Sequence, residues 1–175
     1  MSEGFWSTRR RVLRGGAAGL VLLCLGGTSM GCASGEEQTG RVLNVLEGDL
    51  LKMELNGRRV RVQLAGVDSP VRGQPYRDEA RAFTLRMVQD KEVTVRLAER
   101  GEAGHVVAEV LLSDGRTLNR ELVAAGLGWH RGTWLARYPA IRAAEQEARR
   151  ARRGLWRDDN PTPPWEYLGN KSWRD

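Results

Sequence analysis

Residues 40–70 read GRVLNVLEGDLLKMELNGRRVRVQLAGVDSP, and this stretch carries the pattern of two β-strands joined by a tight turn. Leu51, Met53 and Leu55 recur at every second position, as in a strand with one buried face. Asn56-Gly57 follows, a pair that tolerates positive φ and favours a two-residue hairpin turn. The return strand alternates an apolar set with a polar set, namely Val60, Val62 and Leu64 against Arg59, Arg61 and Gln63. The stretch therefore predicts a β-hairpin.

The rest of the chain predicts three helices and two further strands. Helical spacing predicts a helix from about residue 75 to 89, a short helix after Thr117 that ends at Gly126, and a last helix over 139–153. Alternation predicts strands at 93–97 and 106–112, on either side of a turn at 101–104. Together with a period-two pattern that begins at Gly40, these make five strands. A helix between the third and fourth strands makes an OB-type barrel plausible from order alone.

The same residues closely resemble a staphylococcal nuclease (thermonuclease) domain. The resemblance begins with residues 40–70, continues through GQPY at 73–76, ELVAAGL at 121–127 and GLW at 154–156, and covers roughly Gly40 to Tyr167. It implies a mainly β, α+β fold: a five-stranded OB-fold barrel of the nuclease type with three helices. The predicted domain spans residues 40–158, and residues 159–175 form a tail rich in Pro and Trp.

The resemblance also implies a Ca²⁺ site made by Asp49, Asp68 and the backbone carbonyl of Ser69. Because Ca²⁺ takes roughly 6 to 8 oxygen ligands, two carboxylates leave room for water and substrate phosphate, and we expect weak binding. The alternative is structural: Asp49 shapes the turn after Gly48, and Asp68 caps the end of the strand.

Three positions depart from the family pattern. The resemblance implies catalytic roles for an Arg at position 63, a water-activating Glu at 71 and a second Arg at 105; this chain has Gln63, Val71 and His105. Gln carries no charge, Val accepts no proton, and His is cationic only when protonated. Since a transition-state Arg is worth about 10³–10⁵ in rate and a general base about 10²–10⁴, we expect most of the acceleration to be lost.

Three functions remain open at this point. The first is a degenerate nuclease-like domain that binds nucleic acid, a nucleotide-like anion or a protein. The second is a Ca²⁺-dependent nuclease with a site rebuilt around His105 and Arg61, although Arg61 lies about 6.6 Å along the strand from Gln63. The third is an envelope lipoprotein that uses the barrel as an interaction scaffold.

Residues 1–31 predict export. The segment TRRRVLR at 8–14 resembles a twin-arginine signal, with Arg9 and Arg10 as the pair. The apolar stretch at 17–25 is shorter than the roughly 20 residues that span a bilayer. The alternative is a short N-terminal anchor that is retained.

Cys32 follows Ser29-Met30-Gly31, which resembles a lipobox. This predicts a lipidated Cys32 at the start of the mature protein, followed by residues 32–39 as a tether. The predicted location is the cell envelope, with the lipid anchor in the periplasm or the outer membrane. The alternative is a Cys24–Cys32 disulfide.

Charge and aromatic content permit contact with a polyanion without requiring it. Residues 1–31 hold four Arg and one Glu, so without them the net charge falls from +6 to +3. Four Arg between positions 149 and 153 suit the end of a helix that faces solvent, or a basic patch. Trp129 and Trp156 are expected in the core with residues 163–167 wrapped over the domain; the alternative is base stacking on exposed aromatic rings.

Overall fold

The computed structural model describes residues 36–89, 91–100, 104–131 and 138–169. The chain divides into a unit of Met1–Cys32 and a unit of Ala33–Asp175, and every described residue lies in the second. The predicted export signal with Arg9 and Arg10, and the predicted lipidation site Cys32, therefore lie outside the described residues. Among the helices that are described, none is long and apolar enough to cross a membrane.

Seven strands and four helices make up the described chain. The strands are β1 (Glu37–Glu47), β2 (Leu50–Leu55), β3 (Arg58–Leu64), β4 (Val67–Asp68), β5 (Glu92–Arg100), β6 (His105–Leu111) and β7 (Trp129–His130). The helices are α1 (Arg77–Val88), α2 (Leu118–Ala124), α3 (Pro139–Arg150) and α4 (Pro164–Tyr167), with a 3₁₀ turn at Gly154–Arg157.

Five of the strands close into a barrel in the order β1-β2-β3-β6-β5, and β1 pairs with β5 to complete it. All pairs are antiparallel except β3 with β6, which run parallel. The short strands β4 and β7 form a separate two-stranded sheet. The predicted α+β fold with a five-stranded barrel is confirmed.

The hairpin that was predicted from residues 40–70 is present. Asn56 and Gly57 adopt φ values of 49° and 73°, as a two-residue turn requires. The alternating apolar residues of β2 and β3 point into the barrel, where Leu51, Met53 and Val62 are fully buried. Trp129 and Trp156 are 4% and 7% exposed, which confirms them as core residues.

Three predicted boundaries were wrong. Strand β1 begins at Glu37, because Glu37 to Thr39 pair with β5, so the end of the predicted tether belongs to the barrel. Helix α1 begins at Arg77 rather than near 75, because Tyr76 has a φ of 64°. Helix α3 ends at Arg150 rather than 153, because Arg152 has a φ of 49° and leaves the helical region.

Asn119 fixes α2 to the barrel. This fully buried side chain donates from Nδ2 to the carbonyls of Ala65 (3.0 Å) and Ala108 (3.1 Å), and its Oδ1 accepts from the backbone N–H of Val110 (2.9 Å). These bonds satisfy polar backbone atoms in the core. The position of α2 is therefore set by hydrogen bonds as well as by packing.

The C-terminal segment is held against the loop between β4 and α1. Gln74 donates from Nε2 to the carbonyl of Thr162 (2.9 Å), and its Oε1 accepts from the backbone N–H of Val71 (2.8 Å). Tyr167 donates its hydroxyl hydrogen to the carbonyl of Gly73 (2.8 Å). The segment lies over the domain as predicted, but residues 164–167 of the expected extended tail form the short helix α4.

Candidate functional site

A cleft of about 390 Å³ brings the predicted site residues together. Strands β2, β3 and β6 lie side by side there, since Leu50 is opposite Gln63 and Gln63 is opposite Val107. The six predicted residues that line the cleft are Asp49, Gln63, Asp68, Ser69, Val71 and His105. The structure therefore brings these six residues together in one cleft.

Asp49 lies at the base of the cleft and is 8% exposed. Its Oδ2 accepts from the Gln63 side-chain amide (2.9 Å) and from the backbone N–H of Ser69 (2.9 Å), while Oδ1 accepts from the Ser69 hydroxyl (2.8 Å). Burial raises the pKa of Asp49, and the hydrogen bonds from Ser69 and Gln63 oppose that rise. The Gln63 amide is thus hydrogen-bonded to a carboxylate of the protein itself, that of Asp49.

Asp68 is paired with an arginine that the sequence analysis did not identify. Arg131 donates from Nη1 to Asp68 Oδ1 at 3.2 Å. Burial raises the pKa of Asp68 to about 6; the charge of Arg131 opposes the rise and the charge of Asp49 adds to it. Arg131 reaches the cleft because β4 pairs with β7, which places Asp68 opposite Trp129.

The donor set does not fit a tightly held Ca²⁺ ion. A carboxylate offers about four lone-pair sites, and protein donors already occupy three on Asp49. On Asp68 the guanidinium of Arg131 stands where a cation would bind. Within the described ranges, no group of three or more His, Cys, Asp or Glu side chains is placed to hold a metal ion. The weak Ca²⁺ binding predicted at Asp49, Asp68 and Ser69 stays a prediction.

The remaining acid of the cleft is not free to act as a base. Glu47 also lines the cleft, but Arg77 binds both of its carboxylate oxygens, at 2.7 and 2.9 Å. Val71 presents an apolar side chain, and its backbone N–H is bonded to Gln74. No carboxylate described around the cleft is therefore free of a protein donor, and His105 is the side chain left there that could accept a proton in hydrolysis.

Beside the cleft lies a row of basic side chains, which we call the basic row: Lys52, Arg61 and His105. Lys52 is opposite Arg61 in the β2–β3 pair, and Arg61 is opposite His105 in the β3–β6 pair. All three are exposed. In the described part of the chain neither Lys52 nor Arg61 forms an ion pair, and neighbouring strands are about 4.8 Å apart. Arg61 does not line the cleft, which argues against a site rebuilt around it.

The four Arg near the end of α3 do not form a free basic patch. Arg149 pairs with Glu145 (3.1 Å) and lies over the Trp156 ring, with its guanidinium carbon 3.9 Å from the ring centroid. Arg152 pairs with Asp159 (2.9 Å), and Arg153 with Glu147 (2.7 Å). The interpretation of these residues as a helix end with paired charges is the better one.

Sequence comparisons with known proteins identify the family of this chain. Residues 61–158 match the family model described as staphylococcal nuclease homologue. The chain is 33% identical over 132 residues to an uncharacterized endonuclease of Escherichia coli, covering 75% of this chain and 86% of that protein. It is 32% identical over 137 residues to a micrococcal nuclease of Shigella flexneri, covering 73% and 79%. A staphylococcal-like nuclease of Arabidopsis thaliana is 33% identical over 118 residues, covering 67% and 36%.

The matched residues include part of β3, all of β5 and β6, and most of the cleft lining, from Gln63 to Arg131. On the family match and the barrel together, the chain belongs to the family of staphylococcal nuclease homologues.

Proposed function

We propose that this domain binds single-stranded nucleic acid through its phosphates and hydrolyses it negligibly. The observation that carries the proposal is the hydrogen bond from the Gln63 side chain to the Asp49 carboxylate. The side chain at the position where the family resemblance implies an arginine is neutral, and it donates its hydrogen bond to the carboxylate beside it.

Binding is supported by positive charge next to the cleft. The basic row contributes Lys52 and Arg61 without acidic partners in the described structure, and Arg131 has guanidinium N–H groups beyond the one bonded to Asp68. Side chains of this type bind phosphates by Coulomb attraction and by charge-assisted hydrogen bonds. An extended single strand suits an open cleft that continues into an exposed strand face.

Weak or absent hydrolysis is supported by the same side chains. Phosphodiester cleavage needs an activated water, charge neutralisation at the phosphoryl oxygens and a route for the leaving group. Val71 supplies no base, Glu47 is held by Arg77, and both Asp49 and Asp68 accept hydrogen bonds from protein donors. Each missing element costs orders of magnitude in rate, although the losses do not add.

One experiment tests both halves of this proposal. The purified mature protein is titrated into a fluorescent single-stranded oligonucleotide, and the same mixture is followed on a gel with and without Ca²⁺. We expect binding that weakens with salt, and intact oligonucleotide. Cleavage that is lost in Asp49→Ala would overturn the proposal; absence of binding at low salt would favour an interaction scaffold with a protein partner instead.

A second candidate function is hydrolysis at a rebuilt site. The specific observation in its favour is the Asp68–Arg131 pair inside the cleft, a carboxylate and a guanidinium that the sequence analysis had not placed together. The names of two relatives, an endonuclease and a micrococcal nuclease, point the same way. If this site cleaves nucleic acid, Asp68→Asn and Arg131→Gln will each abolish cleavage, whereas Arg61→Gln will not.

We also propose that the protein is exported and anchored through a lipid on Cys32, as the motifs at residues 8–14 and 29–32 indicate. Replacing Cys32 by Ser should release soluble protein or leave an unprocessed precursor. Replacing both Arg9 and Arg10 by Lys should block export. Unchanged membrane association and mass in the Cys32→Ser variant would exclude the lipid anchor.

A further inference from the structure

An exposed tryptophan stands at the wall of the cleft. Trp165 lines the cleft together with Asp68 and Arg131 and is 43% exposed. Only two other large hydrophobic residues in the described ranges are exposed, Leu43 at 37% and Tyr167 at 45%. Tyr167 is explained by its hydrogen bond to Gly73, and Leu43 lies on β1 away from the cleft lining. Trp165 has an edge contact with Trp129, and among the described residues no hydrogen bond of its side chain accounts for the exposed part of the ring.

The ring of Trp165 is held in place from several sides. Helix α4, which carries it, is tied to the loop before α1 by the Gln74–Thr162 and Tyr167–Gly73 hydrogen bonds. Its ring meets that of Trp129 edge to face, with centroids 6.5 Å apart and an interplanar angle of 72°. Trp129 is itself buried against Trp156. A large aromatic surface is therefore presented to solvent with little freedom left to lose on binding.

The lining of the cleft combines apolar side chains with a charged group. Leu50, Val71, Val107 and Pro164 share its lining with Trp165, while Arg131 provides a cation. A nucleotide has the matching combination, a flat base joined through a sugar to a phosphate. Base stacking on an aromatic side chain is sequence-tolerant because every base has a π-face.

We propose that Trp165 is the stacking platform for a nucleobase whose phosphate is bound by Arg131. This inference rests on the proposed function, since it names the part of the ligand that the cleft holds in addition to phosphate. It also gives Val71 a role, as part of the apolar wall beside the base.

The test compares two ligands that differ only in the base. Binding of deoxyadenosine 3′,5′-bisphosphate and of the abasic 1,2-dideoxyribose 3′,5′-bisphosphate is measured by calorimetry on the mature protein. Stacking predicts that the base-bearing ligand binds about 5- to 150-fold more tightly. In Trp165→Leu this preference disappears while the affinity for the abasic ligand is unchanged, and Trp165→Phe retains part of it. Leu43→Ala is the matched control, an exposed apolar side chain outside the cleft, and leaves both affinities unchanged.

Each other result counts against the inference. Equal affinity for the two ligands in the unmodified protein would exclude a base subsite and leave phosphate binding intact. An equal loss of both affinities in Trp165→Leu would show that Trp165 maintains the shape of the cleft and does not stack. If neither ligand binds the unmodified protein, the proposed function itself fails, and the base subsite fails with it.

Discussion

The residue at position 63 lines the cleft next to Asp49, and Gln63 brings no positive charge there. Its amide binds Asp49 at 2.9 Å, and Val71 and His105 flank the same space. The combined variant Gln63→Arg, Val71→Glu and His105→Arg supplies two cations and a carboxylate at the positions that the family resemblance implies. We expect cleavage of DNA in the presence of Ca²⁺ at least about 100-fold above the unmodified protein, because a general base alone contributes about 10²–10⁴.

The variant that keeps Val71 and changes only the other two positions is the control, since it gains charge without a base. Recovery is expected to be partial, because Arg131 still pairs with Asp68. A triple variant that binds DNA but never cleaves it would mean that the shape of the cleft has changed as well as its chemistry.

His130 is a second side chain with a measurable consequence. It is 7% exposed, and no hydrogen-bond partner for its Nε2 is found in the described structure. Burial lowers its pKa, while Glu145 acts to raise it and Arg142 to lower it. In the unfolded chain His130 takes up a proton near its ordinary pKa of about 6.5, whereas in the folded protein it takes up a proton only at a lower pH. The folded protein therefore loses stability as the pH falls from about 6.5 through the lower pKa of the folded state.

We expect His130→Asn to remove this part of the pH dependence. Unfolding by urea at pH 7.5 and pH 5.5 should show the unmodified protein losing stability relative to the variant at the lower pH. The only other histidine is His105, so His105→Gln serves as the control and should keep the original dependence. A ring resonance of His130 that titrates above pH 6.5 would contradict the prediction.

Among the elements, α2 depends on one buried amide. Replacing Asn119 by Ala leaves the buried N–H of Val110 without its acceptor and opens a small cavity. An unsatisfied buried group costs about 1–3 kcal/mol, and with the cavity we expect a loss of about 3 kcal/mol in the free energy of unfolding.

Thr117→Ala is the matched control. It removes only the capping bond to the Arg120 N–H at 3.4 Å, so we expect about 1 kcal/mol or less. Similar losses for the two variants would disprove the role assigned to Asn119.

The junction between α2 and the 3₁₀ turn requires glycine at two positions. Gly126 and Gly154 have φ values of 72° and 54°, and the backbone N–H of Leu155 donates to the carbonyl of Gly126 at 2.9 Å. A Cβ at Gly126 would collide with the carbonyl of Arg153. We expect Gly126→Ala to cost about 3 kcal/mol or more, from left-handed strain and overpacking together.

Gly57 provides the comparison, because its φ is 73° but a Cβ there would meet nothing within 4 Å. Gly57→Ala should therefore cost only about 1–2 kcal/mol. Thermal unfolding of both variants measures the difference. Equal losses would mean that close approach contributes nothing at Gly126.

Local patterns predicted some elements well and others poorly. The β2–β3 hairpin follows from alternation and from Asn56-Gly57, all of which are short-range signals. Asp49 and Asp68 could be placed together because that hairpin lies between them. Arg131 could not, because its approach depends on pairing between β4 and β7, strands of two residues that are too short to show a period. The start of α1 was misplaced because Tyr76 adopts a positive φ, which is uncommon for a residue other than Gly and leaves no period in the sequence.

For the whole molecule, the charge that matters is local rather than net. The basic row and Arg131 offer three or four cations in one region, whereas the Arg near the end of α3 are mostly paired. For single-stranded DNA we expect the logarithm of the association constant to fall with the logarithm of salt concentration with a slope of about −2, from roughly 0.7 per phosphate contact.

The double variant Lys52→Gln and Arg61→Gln should reduce the magnitude of this slope by about 1.4. Arg116→Gln is the control, because Arg116 pairs with Asp114 and Glu121 and does not line the cleft. Fluorescence anisotropy across a series of NaCl concentrations measures the slope. An unchanged slope in the double variant would mean that phosphates do not contact the basic row.

The parallel pairing of β3 with β6 has a further consequence for how the cleft comes into being. Parallel neighbours cannot be joined by a tight turn, and here α1 and β5 intervene along the chain. Gln63 stands on one side of this seam, and His105 and Val107 stand on the other. Contacts between segments so distant in sequence form slowly and late in folding. The cleft is complete only when β3 and β6 are paired, and a ligand bound to residues on both sides of the seam would slow the separation of these strands.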